Sequence, residues 1–279
     1  MGRSILIATG VGTLNVHTAG ADSGPAVLLW HSMLVDHTQW RRLVPALSAR
    51  RRLILVDGPG HGLSSRPPKG YTLEDCAAAA SAVLAELGED SVDWVGNAWG
   101  GHVGLVFASR YPRQCRSLVS IAAPITPLTT GERIQVRMLA GSYRMLGPRG
   151  FVGKGVADAL VAKGDPEARR VVRAGFARAG RAGMHRSIHA QMLRRPDIGA
   201  LLPSIAAPTL LIAGDGDPLW SPQANEQAAQ RLPRGASASI AGAHRLPPLE
   251  RPDDVAGRLE QFWARTAAGT GTGTGHSTS

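Results

Sequence analysis

The stretch Trp94-Val95-Gly96-Asn97-Ala98-Trp99-Gly100-Gly101 decides the reading of this chain. An apolar run enters Gly96, a helical pattern leaves Gly101, and glycines surround a non-glycine apex at Ala98. Without a Cβ, positions 96, 100 and 101 allow a sharp turn and let the following helix pack close to the strand before it. In parallel α/β sheets, sites form just outside the carboxyl ends of the strands, so a strand-turn-helix of this kind is where chemistry is expected. Alanine has no nucleophilic atom.

On either side the chain repeats the same rhythm. Ala26 to Trp30, Leu53 to Val56, Ser91 to Gly96, Leu118 to Ile121 and Thr209 to Ala213 are short continuous apolar runs, the pattern of strands buried on both faces. Helical patterns fall between them: His37 to Leu47, the alanine-rich stretch behind the capping box Thr72-Leu73-Glu74-Asp75, and Ala98 to Tyr111. Ser4 to Gly20 reads as a starting hairpin at a sheet edge and Ser237 to Ile240 as a last strand. Ser221-Pro222 opens a helix to about Leu232, and Pro252 to Arg265 reads as a closing amphipathic helix. The fold class is therefore α/β, a mostly parallel central sheet flanked by helices.

From residue 124 to 203 the strand rhythm gives way to helical patterning, read as an inserted helical cap on a core made of residues 1–123 and 204–265. The cap carries 12 Arg and 2 Lys against Glu132, Asp158, Asp165, Glu167 and Asp197, an excess of +9 in a chain of net charge +10. Two readings of that excess stay open: steering of an acidic substrate, or solvated helix faces in an arginine-rich protein. Residues 266–279 are Gly/Thr-rich and are expected to be a disordered tail.

The 279 residues, 43% hydrophobic, suffice for one large core with an excursion mounted on it. No apolar run approaches the length of a membrane span, and Met1 to Ile7 is too short for a signal peptide, so a cytoplasmic protein with no membrane partner is expected. Basic-aromatic interleaving and helix-turn-helix patterning are missing, which argues against nucleic acid. Cys76 and Cys115 make no metal spacing, and Gly10-Val11-Gly12 is not a dinucleotide fingerprint, so neither metal nor cofactor is expected. The expected partner is a small-molecule substrate, with oligomeric state left open.

Five features fall just after strands, in one order: His31-Ser32, Asp57-Gly-Pro-Gly-His-Gly-Leu-Ser64, the turn at Gly96 to Gly101, Gly214-x-x-Asp217, and His244 followed by Glu250-Arg251-Pro252. Over residues 14 to 265 the chain thereby resembles the α/β-hydrolase family, of the serine esterase or carbon–carbon bond hydrolase type, with Ala98 at the apex of the nucleophile elbow. The resemblance implies a hydrolase acting on a carboxylic ester, lactone or related acyl substrate through a Ser-His-Asp type triad.

Ester cleavage needs a nucleophile, a base and a carboxylate that orients the base. His244 is the expected base and Asp217 the expected acid, with Asp215 as competitor. An oxyanion needs preorganised donors; Trp99 N–H at the helix start is one, and the resemblance implies Met33 as the second. His31, Ser32, Asn97, His102 and Trp220 are the expected pocket residues; loop support for His31 and core packing for His102 and Trp220 are the alternatives. Ala98 leaves several readings: an inactivated variant of a serine parent, a serine-free enzyme moving protons with His244 and Asp217, a ligand-binding protein on a hydrolase scaffold, or a parent with aspartate, as in epoxide hydrolases and dehalogenases. Against the last, no proline follows His31-Ser32-Met33-Leu34.

Overall fold

Eight strands form one sheet in the computed structural model, which describes residues 3–270 except Asp22. They are β1 (Ser4–Thr9), β2 (Gly12–Gly20), β3 (Ala26–Trp30), β4 (Arg52–Asp57), β5 (Val92–Asn97), β6 (Cys115–Ile121), β7 (Thr209–Gly214) and β8 (Gly235–Ile240). The order across the sheet is β1-β2-β4-β3-β5-β6-β7-β8. The edge hairpin β1/β2 is antiparallel, as is the β2/β4 pairing, and every later pairing is parallel. The central strands β3 and β5 are buried along their whole length, as covering by helices on both faces requires.

The helices are α1 (Val44–Ser48), α2 (Leu73–Leu87), α3 (Trp99–Arg110), α4 (Thr130–Leu146), α5 (Gly150–Leu160), α6 (Pro166–Arg178), α7 (Arg181–Ser187), α8 (Pro222–Ala229), α9 (Pro247–Glu250) and α10 (Pro252–Thr270). The capping box before α2 forms as its sequence demands: Thr72 caps the Asp75 amide, Asp75 caps Thr72, and Gly88 ends the helix in a left-handed conformation. The single helix expected from His37 to Leu47 is instead a 3-10 turn, His37–Trp40, followed by α1. Pro45, lacking an N–H, sits in the first turn of α1, where that donor would be unused. The closing helix does not stop at Arg265 but runs to Thr270; the rest of the expected tail, 271–279, lies outside the described residues.

Between β6 and β7 the chain forms α4 to α7, a π-helical stretch Ile188–Leu193 and a 3-10 turn Gly199–Ser204. This segment is tied to the sheet layer by buried and half-buried polar contacts. Arg178 on α6 forks onto Asp36, with Nε to Oδ2 at 2.7 Å and Nη2 to Oδ1 at 2.9 Å, and Arg42 donates to Asp165 and Glu167 ahead of and on α6. Tyr71 donates to Ser187 at 2.8 Å. No helix among the described residues is long and apolar enough to cross a membrane.

Candidate active site

The turn after β5 places Ala98 at φ 48° and ψ −105°, a left-handed conformation held by its surroundings. Strain of this kind costs about 1–3 kcal/mol. A Cβ at Gly96 would meet the Gly100 carbonyl and one at Gly100 the Trp30 carbonyl, so both glycines are needed for the helix to lie this close to β3 and β5. The Ala98 N–H donates to the Ile121 carbonyl at 2.7 Å, tying the apex to β6.

Above the apex lies a cavity of about 120 Å³ between the sheet edge and the helical segment. Ser32, Met33, Ala98, Trp99 and His102 line it, five of the positions expected from the sequence. The Trp99 N–H, first in its helix, has no intrahelical acceptor. Ser32 N–H donates to Gln39 Oε1 at 2.9 Å and Leu34 N–H to His61 Nε2 at 3.4 Å, while the Met33 N–H between them has no acceptor among the described residues. The indole of Trp99 is fixed by donation to Gln191 Oε1 at 3.1 Å. His102 donates from Nε2 to the Pro124 carbonyl at 2.9 Å, and burial, reinforced by the nearby Arg195, lowers its pKa to about 3. It is a neutral wall.

Three expected pocket residues are elsewhere. His31 is fully buried, with Nδ1 donating to Ser32 O at 2.7 Å and Nε2 accepting from Gly58 N–H at 2.8 Å; it supports the loop and does not line the cavity. Asn97 is also fully buried, donating to the Ile121 and Arg245 carbonyls at 3.0 and 3.2 Å and accepting from Gln39. Trp220 donates to Asn225 at 2.9 Å and does not line the cavity, although its neighbour Leu219 does.

Asp217 stands after β7 as expected, with Oδ1 accepting from Leu219 N–H at 2.9 Å and Oδ2 buried without a partner. Burial pushes its carboxyl up, opposed chiefly by Arg245. Asp215 takes no part in the cavity and caps the Gly242 amide at 2.8 Å. His244 is near enough to Asp217 to favour its ionised form, and its buried Nδ1, like Asp217 Oδ2, has no hydrogen-bond partner among the described residues; the ring lies beside Gly216, and it does not line the cavity. Arg245 does. Its Nε is 3.9 Å from Asp217 Oδ1, and it shares the cavity with Ala98.

The register of this loop is set by Glu250, whose Oε2 accepts from both the His244 and the Leu246 amides at 3.0 Å. With the backbone clamped on either side and the Arg245 carbonyl held by Asn97, residue 245 presents its side chain to the cavity. The sequence reading singled out Glu250 but treated it as a marker rather than as a clamp on the loop backbone.

Two further cavity residues escaped the sequence reading, Arg195 and Glu132. Burial lowers the Arg195 pKa to about 10, partly opposed by Glu132; its Nη2 donates to Thr126 O at 2.6 Å while its Nε has no partner. Burial likewise lowers Arg245, opposed by Asp217 and Glu132. Burial would raise the Glu132 pKa, but hydrogen bonds from the Thr129 amide and hydroxyl at the start of α4 outweigh it and hold it low. That oxygen is thus already committed to a helix cap. Outside the cavity, His17, His37 and Asp57 bring possible metal-ligand atoms within 4.8 Å of one another, but Asp57 already accepts from His37 at 2.8 Å and Asn15 at 2.9 Å, and the two rings are stacked.

Residues 25–147 match the model of the alpha/beta hydrolase fold family. The chain is 30% identical over 264 residues to the pimeloyl-[acyl-carrier protein] methyl ester esterase of Xanthomonas campestris, covering 86% of this chain and 96% of that protein. The chain belongs to the α/β-hydrolase fold family. Within it, the 2-hydroxy-6-oxo-2,4-heptadienoate hydrolase of Pseudomonas putida is 38% identical over 132 residues, 44% of this chain and 45% of that protein, so the matched part spans less than half of that relative. A malate-bound thermophilic esterase from Thermogutta terrifontis superposes with a TM-score of 0.85 at 26% identity, covering 95% of this chain and 99% of that one. These α/β-hydrolase relatives support a hydrolase as the general role.

Proposed function

We propose that this α/β-hydrolase-fold protein binds a small carboxylate-bearing molecule in the cavity at Ala98 and, in the chain as it stands, forms no covalent acyl intermediate there. The observation that carries the reading is that Arg245, 3.9 Å from Asp217 Oδ1, lines the same cavity as Ala98, so a guanidinium shares the site of an apex that has no nucleophilic oxygen. Acyl transfer needs a nucleophilic oxygen and a group that takes its proton. Alanine lacks the first, and a guanidinium keeps its own protons at any accessible pH. Asp217 then acts as counter-ion to Arg245. A second reading, a serine parent changed at position 98 alone, is favoured by the retention of His244 near Asp217 with Nδ1 and Oδ2 both unpartnered.

Binding of an anion follows from the donors left over. The Arg245 guanidinium has no hydrogen-bond acceptor among the described residues, Arg195 Nε has none, and Met33 and Trp99, whose amides are the expected oxyanion donors, line the same cavity. A carboxylate fits that donor set. The names of the relatives agree in chemistry, since heptadienoate and malate are both carboxylates. The helical segment over residues 124–203 acts in this reading as the cap that closes the site.

Calorimetric titration with malate, succinate and glutarate, each beside its dimethyl ester, tests the binding. Retention of at least one free acid and rejection of its diester is expected; a preference for the diesters would overturn the anion reading. Incubation with a fluorophosphonate probe tests the chemistry, and labelling in the cavity of the unaltered chain would overturn the non-covalent reading.

A further inference from the structure

The outer face of α4 carries a second set of apolar side chains that the cavity does not use. Ile134, Met138 and Met145 are 51%, 67% and 80% exposed. At spacings of four and seven, with Gly141 between, they form one stripe along the helix. The inner face of the same helix is already filled by buried Val136, Ala140 and Tyr143, so the stripe lies opposite the packed side. Just beyond the helix end, Leu146 and Phe151 are 54% and 68% exposed. Five large apolar side chains on one short segment are more than scattered surface hydrophobes and mark an interaction face.

The charge beside this stripe says what covers it. Arg137, Arg144, Arg149 and Lys154 are exposed, and none has a carboxylate within 4 Å among the described residues. A groove opening at Pro148-Arg149-Gly150, of about 760 Å³, is lined further by Lys154, Arg170 and Arg173. A second copy of this chain would bring the same cations against themselves, with the +9 excess of residues 124–203 on each side. An apolar stripe edged by arginines, on a helix too polar to span a bilayer, matches the pattern of helices that lie in the plane of a membrane surface.

We infer that the face made by α4 and the start of α5 docks peripherally on a bilayer containing anionic phospholipid. The stripe enters the boundary between headgroups and acyl chains, and the guanidiniums sit at the level of the phosphates. The cavity lies on the other side of α4, which also supplies Gln135 and Val136 to its wall. The inference stands apart from the ligand proposed for that cavity.

Sedimentation of the full chain with phosphatidylcholine vesicles, with and without phosphatidylglycerol, tests it. Binding only to the phosphatidylglycerol vesicles, weakened by added salt, is expected. Removing three cations in Arg137→Gln/Arg144→Gln/Arg149→Gln should reduce partitioning roughly a hundredfold. Ile134→Ser/Met138→Ser/Met145→Ser should reduce it by at least about tenfold. Phe151→Ser, on a different helix, should weaken binding without touching the fold of α4. Failure of the unaltered chain to bind anionic vesicles would overturn the inference. So would unchanged binding by folded triple variants, or a dimer in light scattering that the serine variant abolishes, since the face would then belong to a second copy.

Discussion

Arg245 Nε lies 3.9 Å from Asp217 Oδ1. The side chain is only 20% exposed and faces the cavity that Ala98 lines. A buried cation that uses none of its donors on neighbouring acceptors is costly unless something else supplies them. Removing it should therefore affect stability and binding in opposite directions, which makes the residue the first place to intervene.

Arg245→Gln keeps a polar side chain and removes the charge. Loss of a charge-assisted hydrogen bond should weaken carboxylate binding by about 1.5–3 kcal/mol, read by calorimetry, and Arg195→Gln should do the same. Neither variant should lower the melting temperature, because the desolvation cost of the cation goes with it. A loss of fold in Arg245→Gln would show the guanidinium to be a structural group.

Restoring acyl-transfer chemistry should require two changes at once. Ala98→Ser alone should stay at background on p-nitrophenyl acetate and leave a fluorophosphonate probe unreacted. Ala98→Ser/Arg245→His adds an imidazole on the cavity side of Asp217 and should label and turn over ester at least about a hundredfold above either single variant, given the 10⁴-fold and larger effects of single triad losses. Full activity of Ala98→Ser alone would point back to His244 as the base.

Acid should destabilise the protein well above the pH at which its carboxylates titrate. Burial lowers the pKa of His31, and lowers His61 and His102 to about 3. In the unfolded chain these histidines bind protons as pH falls below about 6.5. The folded chain does not, so stability present above that pH is lost progressively between about 6.5 and 3, at up to roughly 1.4 kcal/mol per pH unit for each histidine. Thermal melts across that range check the sign, and His102→Gln, which can still donate to the Pro124 carbonyl, should flatten the slope.

The apex of the turn offers a cheaper test of strain. Ala98→Gly removes the Cβ that makes φ 48° unfavourable and should stabilise the fold by about 1 kcal/mol after its cost in chain entropy. Gly100→Ala, by contrast, drives a Cβ into the Trp30 carbonyl and should be strongly destabilising. Chemical denaturation of both variants measures the difference.

The chain alone determined the sheet and its rhythm. Short apolar runs such as Ala26 to Trp30, alternating with helical patterns, fit central parallel strands, and the Thr72/Asp75 box and Ser221-Pro222 start helices through local hydrogen bonds that need no distant partner. Because such sheets gather their loops at the carboxyl ends of the strands, the placement of Ser32, Met33, Ala98, Trp99 and His102 around one cavity was also legible. Tertiary structure decided what the sequence could not: which way a side chain points in a loop. His244 and Arg245 are neighbours that both act on Asp217, and the clamp of Glu250 on the amides of His244 and Leu246, with Asn97 holding the Arg245 carbonyl, fixes the loop in which Arg245 lines the cavity. Arg195, in the loop after the π-helical stretch, and Glu132, in the first turn of α4, were invisible as cavity residues for the same reason, since a charged residue there meets the cavity only once that segment has closed over the sheet.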